Sequence, residues 1–210
     1  DSSAAIVRDG QLVAAAEEER FTRIKHGKRP VPFSAWELPF NAIDYCLREA
    51  GVTLAEVDHV GYSYDPARFI GERMPDGRAW LPMDLASHAA DAWESPWDPL
   101  FACYLRNAPR QLVDGAPHHL RKRFEGVRHD GPFKFHFIDH HLCHQASAFL
   151  AAPFDRCAVM TLDGRGEDAT TAYGRWTPAG YEALGQVDMP HSLGMLYEKM
   201  TTHLGFLHSS

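Results

Sequence analysis

The alternation of apolar and polar positions divides the chain into short elements of two kinds. Ala4 to Val7 and Gln11 to Ala16 are apolar runs on either side of Arg8-Asp9-Gly10. Asp-Gly between two such runs predicts a hairpin, because a type I′ turn needs positive φ at both central residues. An acidic run, Glu17-Glu18-Glu19, and a basic stretch from Arg20 to Arg29 follow, and Pro30 and Pro32 close them as a loop. Ala42, Ile43, Cys46, Leu47 and Ala50 recur at helical spacing, with Gly51 where a left-handed C-cap belongs. Val60 to Tyr64 then reads as a buried strand. From 66 to 130 the pattern is poorly periodic and rich in Pro, Trp and Asp. Two helices, Leu85 to Ala92 and Leu100 to Arg123, are expected there within an insertion or lid. Beyond it come strand Lys134 to Ile138, helix His141 to Leu150, strand Ala158 to Leu162, a glycine turn, strands Thr170 to Arg175 and Tyr181 to Val187, and helix Leu193 to His203. The alternation predicts an α/β fold.

Composition narrows this picture. The 210 residues, 45% of them hydrophobic, suffice for one or two domains with a sizeable core. No apolar run approaches the roughly 18 residues of a membrane span, and no signal-peptide pattern opens the chain, so a cytoplasmic location is expected. Cys46, Cys103, Cys143 and Cys157 form no CxxC pair, which argues against a zinc ribbon or dithiol motif; reduced, mostly buried thiols are expected. A net charge of -7 supplies no field for nucleic acid, and Arg121-Lys122-Arg123 reads as a solvated helix face. The chain opens on Asp1-Ser2-Ser3 without a methionine and stops at His208-Ser209-Ser210 just after an apolar stretch, so a segment of a longer protein is expected.

Candidate chemistry lies in FHFIDHHLCHQASAFLAAPF, residues 135 to 154. On a helix beginning at or just before His140, His140 and His144 project from one face and can share a cation, whereas His141 points about 100° away. The helix N-terminus, with unpaired N–H groups and a positive dipole end, suits a phosphate. Histidines four apart also occur on ordinary helices, and two ligands require a third. TLDGRGEDATT, residues 161 to 171, offers a candidate in Asp163. Gly164-x-Gly166 after a strand lets backbone N–H groups approach a phosphate, and Asp163 can there touch a metal, a ribose or a hydroxyl; a tight hairpin turn explains the same residues. Lys25-His26 reads, on its own, as a solvated basic loop.

Taken in order, DSSAAIVRDGQLVAAAEEERFTRIKHG, HHLCHQASAF, TLDGRGEDATT and PHSLGMLYEKMTTHLGF resemble the N-terminal part of the O-carbamoyltransferases of nodulation and antibiotic biosynthesis. The resemblance covers both ends of the chain and leaves 66 to 130 unmatched. It implies an actin, Hsp70 and sugar-kinase type (ribonuclease H-like) mixed sheet with flanking helices, similar to the tRNA threonylcarbamoyl-transferring protein. It also implies a C-terminal domain, absent from this chain, that makes carbamoyl adenylate from carbamoyl phosphate and ATP. In such enzymes a divalent cation, iron first and zinc or manganese as alternatives, holds the phosphate while a small-molecule hydroxyl attacks the carbamoyl carbon. Carried over, His140 and His144 match the metal ligands, and Asp163 with Gly164 and Gly166 lines the same pocket. Asp1 and Ser2 match the phosphate-side loop without the histidine that usually precedes it, and Lys25 and His26 match the Lys-His after EEERF.

A histidine titrates near neutrality, so His26 suits a general base, and a His₂-carboxylate cation acts as a Lewis acid. The family's third ligand, an aspartate much further along, lies beyond this chain. Alone, then, the 210 residues are expected to be inactive, with an incomplete metal site. His191 and Tyr197 read either as acceptor-pocket residues or as a helix cap and a core tyrosine. Trp80, Trp93 and Trp97 fall where acceptor selectivity can reside. Two other readings stand beside this one: an inactive actin-like module that binds a nucleotide or partner, and a tRNA threonylcarbamoyl transferase, which the acidic balance disfavours.

Overall fold

A computed structural model of the chain describes residues 2–25, 38–70, 105–115 and 131–206. The expected helix Leu85 to Ala92, the Arg121-Lys122-Arg123 cluster, the three tryptophans, Cys103 and most of the expected insertion lie outside these residues. The chain divides into two compact units, Asp1–Val60 with Ile70–His136, and Gly61–Phe69 with Phe137–Ser210.

In the first unit, β1 (Ser3–Arg8) and β2 (Gln11–Glu17) form an antiparallel ladder. Asp9 and Gly10 take φ of 52° and 76° at the tip, the positive values that the Asp-Gly pair predicts. A short α1 (Glu19–Thr22) leads towards α2 (Phe40–Ala50), which lies on both strands. Ala42, Cys46 and Ala50, spaced four apart, are the buried residues of α2. Its N-cap, Pro39, has no side-chain acceptor. Glu18, only 7% exposed, reaches across instead and accepts from Asn41 Nδ2 at 2.6 Å and the Ala42 N–H at 2.9 Å. This buried carboxylate thus satisfies donors that a helix start otherwise leaves orphaned.

β3 (His59–Tyr62) and β4 (Lys134–Phe137) form a second ladder. Lys134 N–H donates to Asp58 O, and four residues later in each strand Ile138 N–H donates to Tyr62 O, both at 2.9 Å, so the strands run parallel. β3 begins one residue before the expected Val60 and ends at Tyr62, short of Tyr64, whose N–H turns back to Tyr62 O. After it comes α3 (Pro66–Ile70). The long helix expected over Leu100 to Arg123 is interrupted. α4 (Ala108–Asp114) ends at Gly115, which adopts the left-handed conformation at φ 66° and returns its N–H to Leu112 O.

The second unit is built on β5 (Cys157–Leu162), β6 (Ala169–Thr177) and β7 (Gly180–Asp188), an antiparallel meander. α5 (His140–Ala151) packs on β5 and β6. Phe149 of this helix stacks on Trp176 and Tyr181, with ring centroids 4.4 Å and 5.4 Å away, and Tyr181 Oη donates to Gln145 Oε1. A cis Met189–Pro190 bond precedes α6 (Leu193–His203), whose bounds are those the periodicity predicts. The described strands make three ladders, and with the flanking helices they give the α/β character expected of the chain. Cys46 is buried, while Cys143 and Cys157 are half-buried free thiols. Among the described residues no helix is long and apolar enough to cross a membrane.

Candidate metal centre

β4 runs out at Phe137, and Asp139 starts α5 as its N-cap, accepting the Leu142 N–H at 2.7 Å. His140 and His144 therefore occupy one helical face, one turn apart. The β5–β6 connection, residues 163–168, brings Asp163 to meet them. His140 Nε2 lies 2.8 Å from Asp163 Oδ2, His144 Nε2 lies 3.1 Å from His140 Nε2, and His144 Nε2 lies 3.5 Å from the same Asp163 oxygen. The three donor atoms fall within 4.8 Å of one another, the one such His, Cys or carboxylate group among the described residues.

These residues fit a divalent cation. Nitrogen and oxygen ligands at about 2.0–2.2 Å around a tetrahedral ion stand roughly 3.3–3.6 Å apart, which the trio reaches by opening a few tenths of an ångström. The tautomer is also prepared. His140 Nδ1 lies 3.0 Å from the Ser63 carbonyl, which can only accept, so the Nδ1 proton is fixed and Nε2 is the ring atom offered to Asp163 and His144. With Nε2 against the carboxylate, the imidazole holds its second proton more tightly. The Asp163 hydrogen bond, aided by the Ser63 carbonyl and opposed by partial burial, raises the His140 pKa. In turn His140 draws the Asp163 pKa down to about 2.

A second carboxylate supports the centre from beneath. Glu167, 3% exposed, accepts the His140 N–H at 3.1 Å and the Asp65 N–H at 2.6 Å. Arg68 bridges Asp139 and Asp168. At the start of α5, where the helix dipole suits a phosphate, the carboxylates of Glu167 and Asp139 take the His140 and Leu142 N–H groups.

The glycine turn has a packing role as well. Gly164 N–H donates to Asp163 Oδ1 at 2.6 Å, and Gly166 N–H donates to Ala169 O at 2.8 Å, so both amides expected to face a phosphate are engaged within the turn. A Cβ at Gly166 would come within 2.9 Å of His141 Cδ2, and the missing side chain leaves room for that ring. His141, 2% exposed, is a core histidine held by Thr161 Oγ1 at 2.7 Å and Ala169 O at 3.0 Å.

The structure thus brings His140, His144, Asp163, Gly164 and Gly166 together. Ser2, whose carbonyl accepts the Glu18 N–H, and exposed Lys25 lie in the first unit; Asp1 and His26 lie outside the described residues. Two readings change. Tyr197 is 77% exposed rather than a core residue, and Ser192, not His191, caps α6 by accepting the Met195 N–H at 3.0 Å. Sequence reasoning missed Ser63, Glu167 and Asp139; an acid immediately before the helix was a legible N-cap signal for the last, whereas the other two act across the fold.

The site defines a class, an α/β chain that gathers two imidazoles and a carboxylate in ligand geometry. Comparison with known proteins gives the family. The model described as Carbamoyltransferase N-terminus matches residues 1–115 and 119–210, and the chain belongs to that family. It is 36% identical over 211 residues to the uncharacterized protein sll1178 of Synechocystis sp., covering 98% of this chain and 30% of that protein. It is 31% identical over 206 residues to the nodulation protein NolNO of Sinorhizobium fredii, covering 98% of this chain and 25% of that protein. An uncharacterized 19.2 kDa protein of Rhizobium etli is 44% identical over 62 residues, covering 30% of this chain and 32% of that protein. The chain therefore spans about a quarter to a third of the length of these relatives.

Proposed function

We propose that this chain is the transfer part of an O-carbamoyltransferase, moving a carbamoyl group from carbamoyl adenylate to a hydroxyl of a small molecule such as a sugar or other natural product. The observation that carries the reading is the His140–His144–Asp163 cluster in a chain of the carbamoyltransferase N-terminus family. The remainder of a longer polypeptide would form the adenylate from carbamoyl phosphate and ATP in the cytoplasm. An actin-like, ribonuclease H-related fold is the frame we infer for it; the mixed α/β content and the β5–β6–β7 meander are compatible with that frame.

His140, His144 and Asp163 hold the cation, iron in our reading, with zinc or manganese suited to the same donors. When bound, it supplies Lewis acidity for the carbamoyl carbonyl and the departing phosphate. The chain's own residues do the rest. Ser63 and Glu167 fix the ring and helix start of His140, and Asp163, drawn down to about 2, stays ionised across the working range. An anion so weakly basic serves as ligand and orienting acceptor rather than as proton acceptor. The step balances when the acceptor oxygen bonds to the carbamoyl carbon, its proton passes to a base, for which the family resemblance suggests His26, and the carbon–oxygen bond to the adenylate phosphate breaks with release of AMP.

The test uses the full polypeptide with labelled carbamoyl phosphate, ATP and iron(II), and follows label into hydroxyl-bearing acceptors. Wild type should transfer label, and H140A/H144A should lose transfer while keeping ATP-dependent phosphate release. Equal transfer by the double variant would refute the assignment.

A further inference from the structure

The motif Pro190-His191-Ser192-Leu193-Gly194 caps a helix, but its contacts extend beyond that helix. Ser192 Oγ accepts the Met195 N–H at 3.0 Å and directs its own proton at two carbonyls, Gly164 O at 2.7 Å and Asp163 O at 3.2 Å. One residue further, Gly194 presses against the same turn. A Cβ there would stand 2.5 Å from Gly164 N and closer still to the carbonyl carbon and oxygen of Asp163, inside the reach of any real contact with backbone. On its other side the turn is tied to β6, since Asp163 N–H donates to Thr170 O at 2.9 Å. Thr170 Oγ1 in turn donates to His191 O at 2.5 Å, closing a ring of contacts from strand to motif to turn.

The peptide that carries Asp163 is thus gripped from both sides, and its carboxylate extends from that fixed peptide to His140 and His144. We propose that Ser192 and Gly194 are positioning residues, a clamp that sets the place of the Asp163 carboxylate and thereby the affinity of the centre for its cation. This inference rests on the metal-site reading above. A helix cap alone requires only the Ser192–Met195 bond. The two hydroxyl-to-turn contacts and the absent Cβ at 194 are additional, and both converge on Asp163. Outer contacts that fix a ligand's orientation typically change metal affinity by about 10–100-fold.

Three single variants of the full chain test this: Gly194→Ala, which intrudes on the turn; Ser192→Ala, which removes its donor; and Lys199→Gly, which weakens α6 two turns away without touching Asp163. For each, zinc and manganese dissociation constants are measured by calorimetric titration. The Gly164 amide proton shift is read by NMR in metal-free protein, because that N–H bonds directly to Asp163 Oδ1. The clamp predicts a loss of about 10–100-fold in zinc or manganese affinity and a moved Gly164 resonance for the first two variants. It predicts near wild-type values of both for Lys199→Gly. Unchanged affinity and resonance in folded Gly194→Ala and Ser192→Ala, or an equal loss in Lys199→Gly, would overturn it. Should wild type bind neither metal while Gly164 still moves in the first two variants, the metal reading fails and the clamp on Asp163 stands. Should Gly194→Ala not fold, Ser192→Ala against Ser192→Thr, which restores the hydroxyl, decides the matter.

Discussion

Two helices in this molecule begin in the same way and end up doing different work. α2 and α5 each have backbone N–H groups at their starts taken by a buried glutamate from elsewhere in the chain, Glu18 for α2 and Glu167 for α5. Behind the first, Ala42, Cys46 and Ala50 follow at four-residue spacing, and the face they make is spent on packing against β1 and β2. Behind the second, positions 140 and 144 carry imidazoles that turn to an aspartate. One capping device therefore serves packing in the first unit and a His–His–Asp cluster in the second; what separates them is what the helical face presents.

Replacing the face itself should have the largest effect. H140A/H144A should weaken zinc or manganese binding by more than about a hundredfold, beyond the range typical of outer-shell changes, as read by calorimetric titration. Next come the caps, which sharpen the comparison directly. Glu167→Ala leaves the His140 and Asp65 N–H groups without their acceptor, and should cost roughly 2 kcal/mol in urea unfolding along with about a tenfold loss of metal affinity. Glu18→Ala should cost a similar roughly 2 kcal/mol and leave metal affinity untouched. If Glu18→Ala also weakened the metal, the division of labour between the two helices would be wrong.

The pH response should be smaller and specific to the second unit. Asp163 is lowered from an ordinary value of 3.8 to about 2, so its contribution to metal-free stability is present above about 3.8 and is lost as pH falls towards 2. The His140 pKa is raised, so its contribution is full below the ordinary value of 6.5 and fades as pH climbs through the raised one. The pair thus stabilises the apoprotein most between those limits. A cation must displace the Nε2 proton, so metal affinity should fall as pH drops below the raised His140 value. H140A should flatten both profiles in urea unfolding and metal titration followed against pH.

Local signals were legible in the sequence, and tertiary ones were not. The Asp9-Gly10 turn, the Ala42–Cys46–Ala50 face and the bounds of α6 follow from patterns that span a few residues, and the structure agrees with them. The His140–His144 pair was readable for the same reason. Glu18 and Glu167 were not, because a carboxylate that caps a helix more than 20 residues away leaves no periodic trace; within EEE and GRGED each reads as a solvated acid. Gly166 and Gly194 show the converse limit. Gly166 read as part of either a phosphate turn or a tight hairpin turn and Gly194 simply fell inside the helix expected over Leu193 to His203, whereas their actual constraint is the ring of His141 in one case and the Asp163 peptide in the other. The break at Gly115 was similarly overrun by apolar spacing that continued past it.

The most direct test is anaerobic titration of iron(II), with zinc and manganese in parallel, into wild type and H140A/H144A, followed by elemental analysis of the gel-filtered protein. One equivalent retained by wild type and lost from a folded double variant is the predicted result. A wild type that retains no metal, or a double variant that retains as much as wild type, would contradict the account and leave His140, His144 and Asp163 as a hydrogen-bonded junction between α5 and the β5–β6 turn.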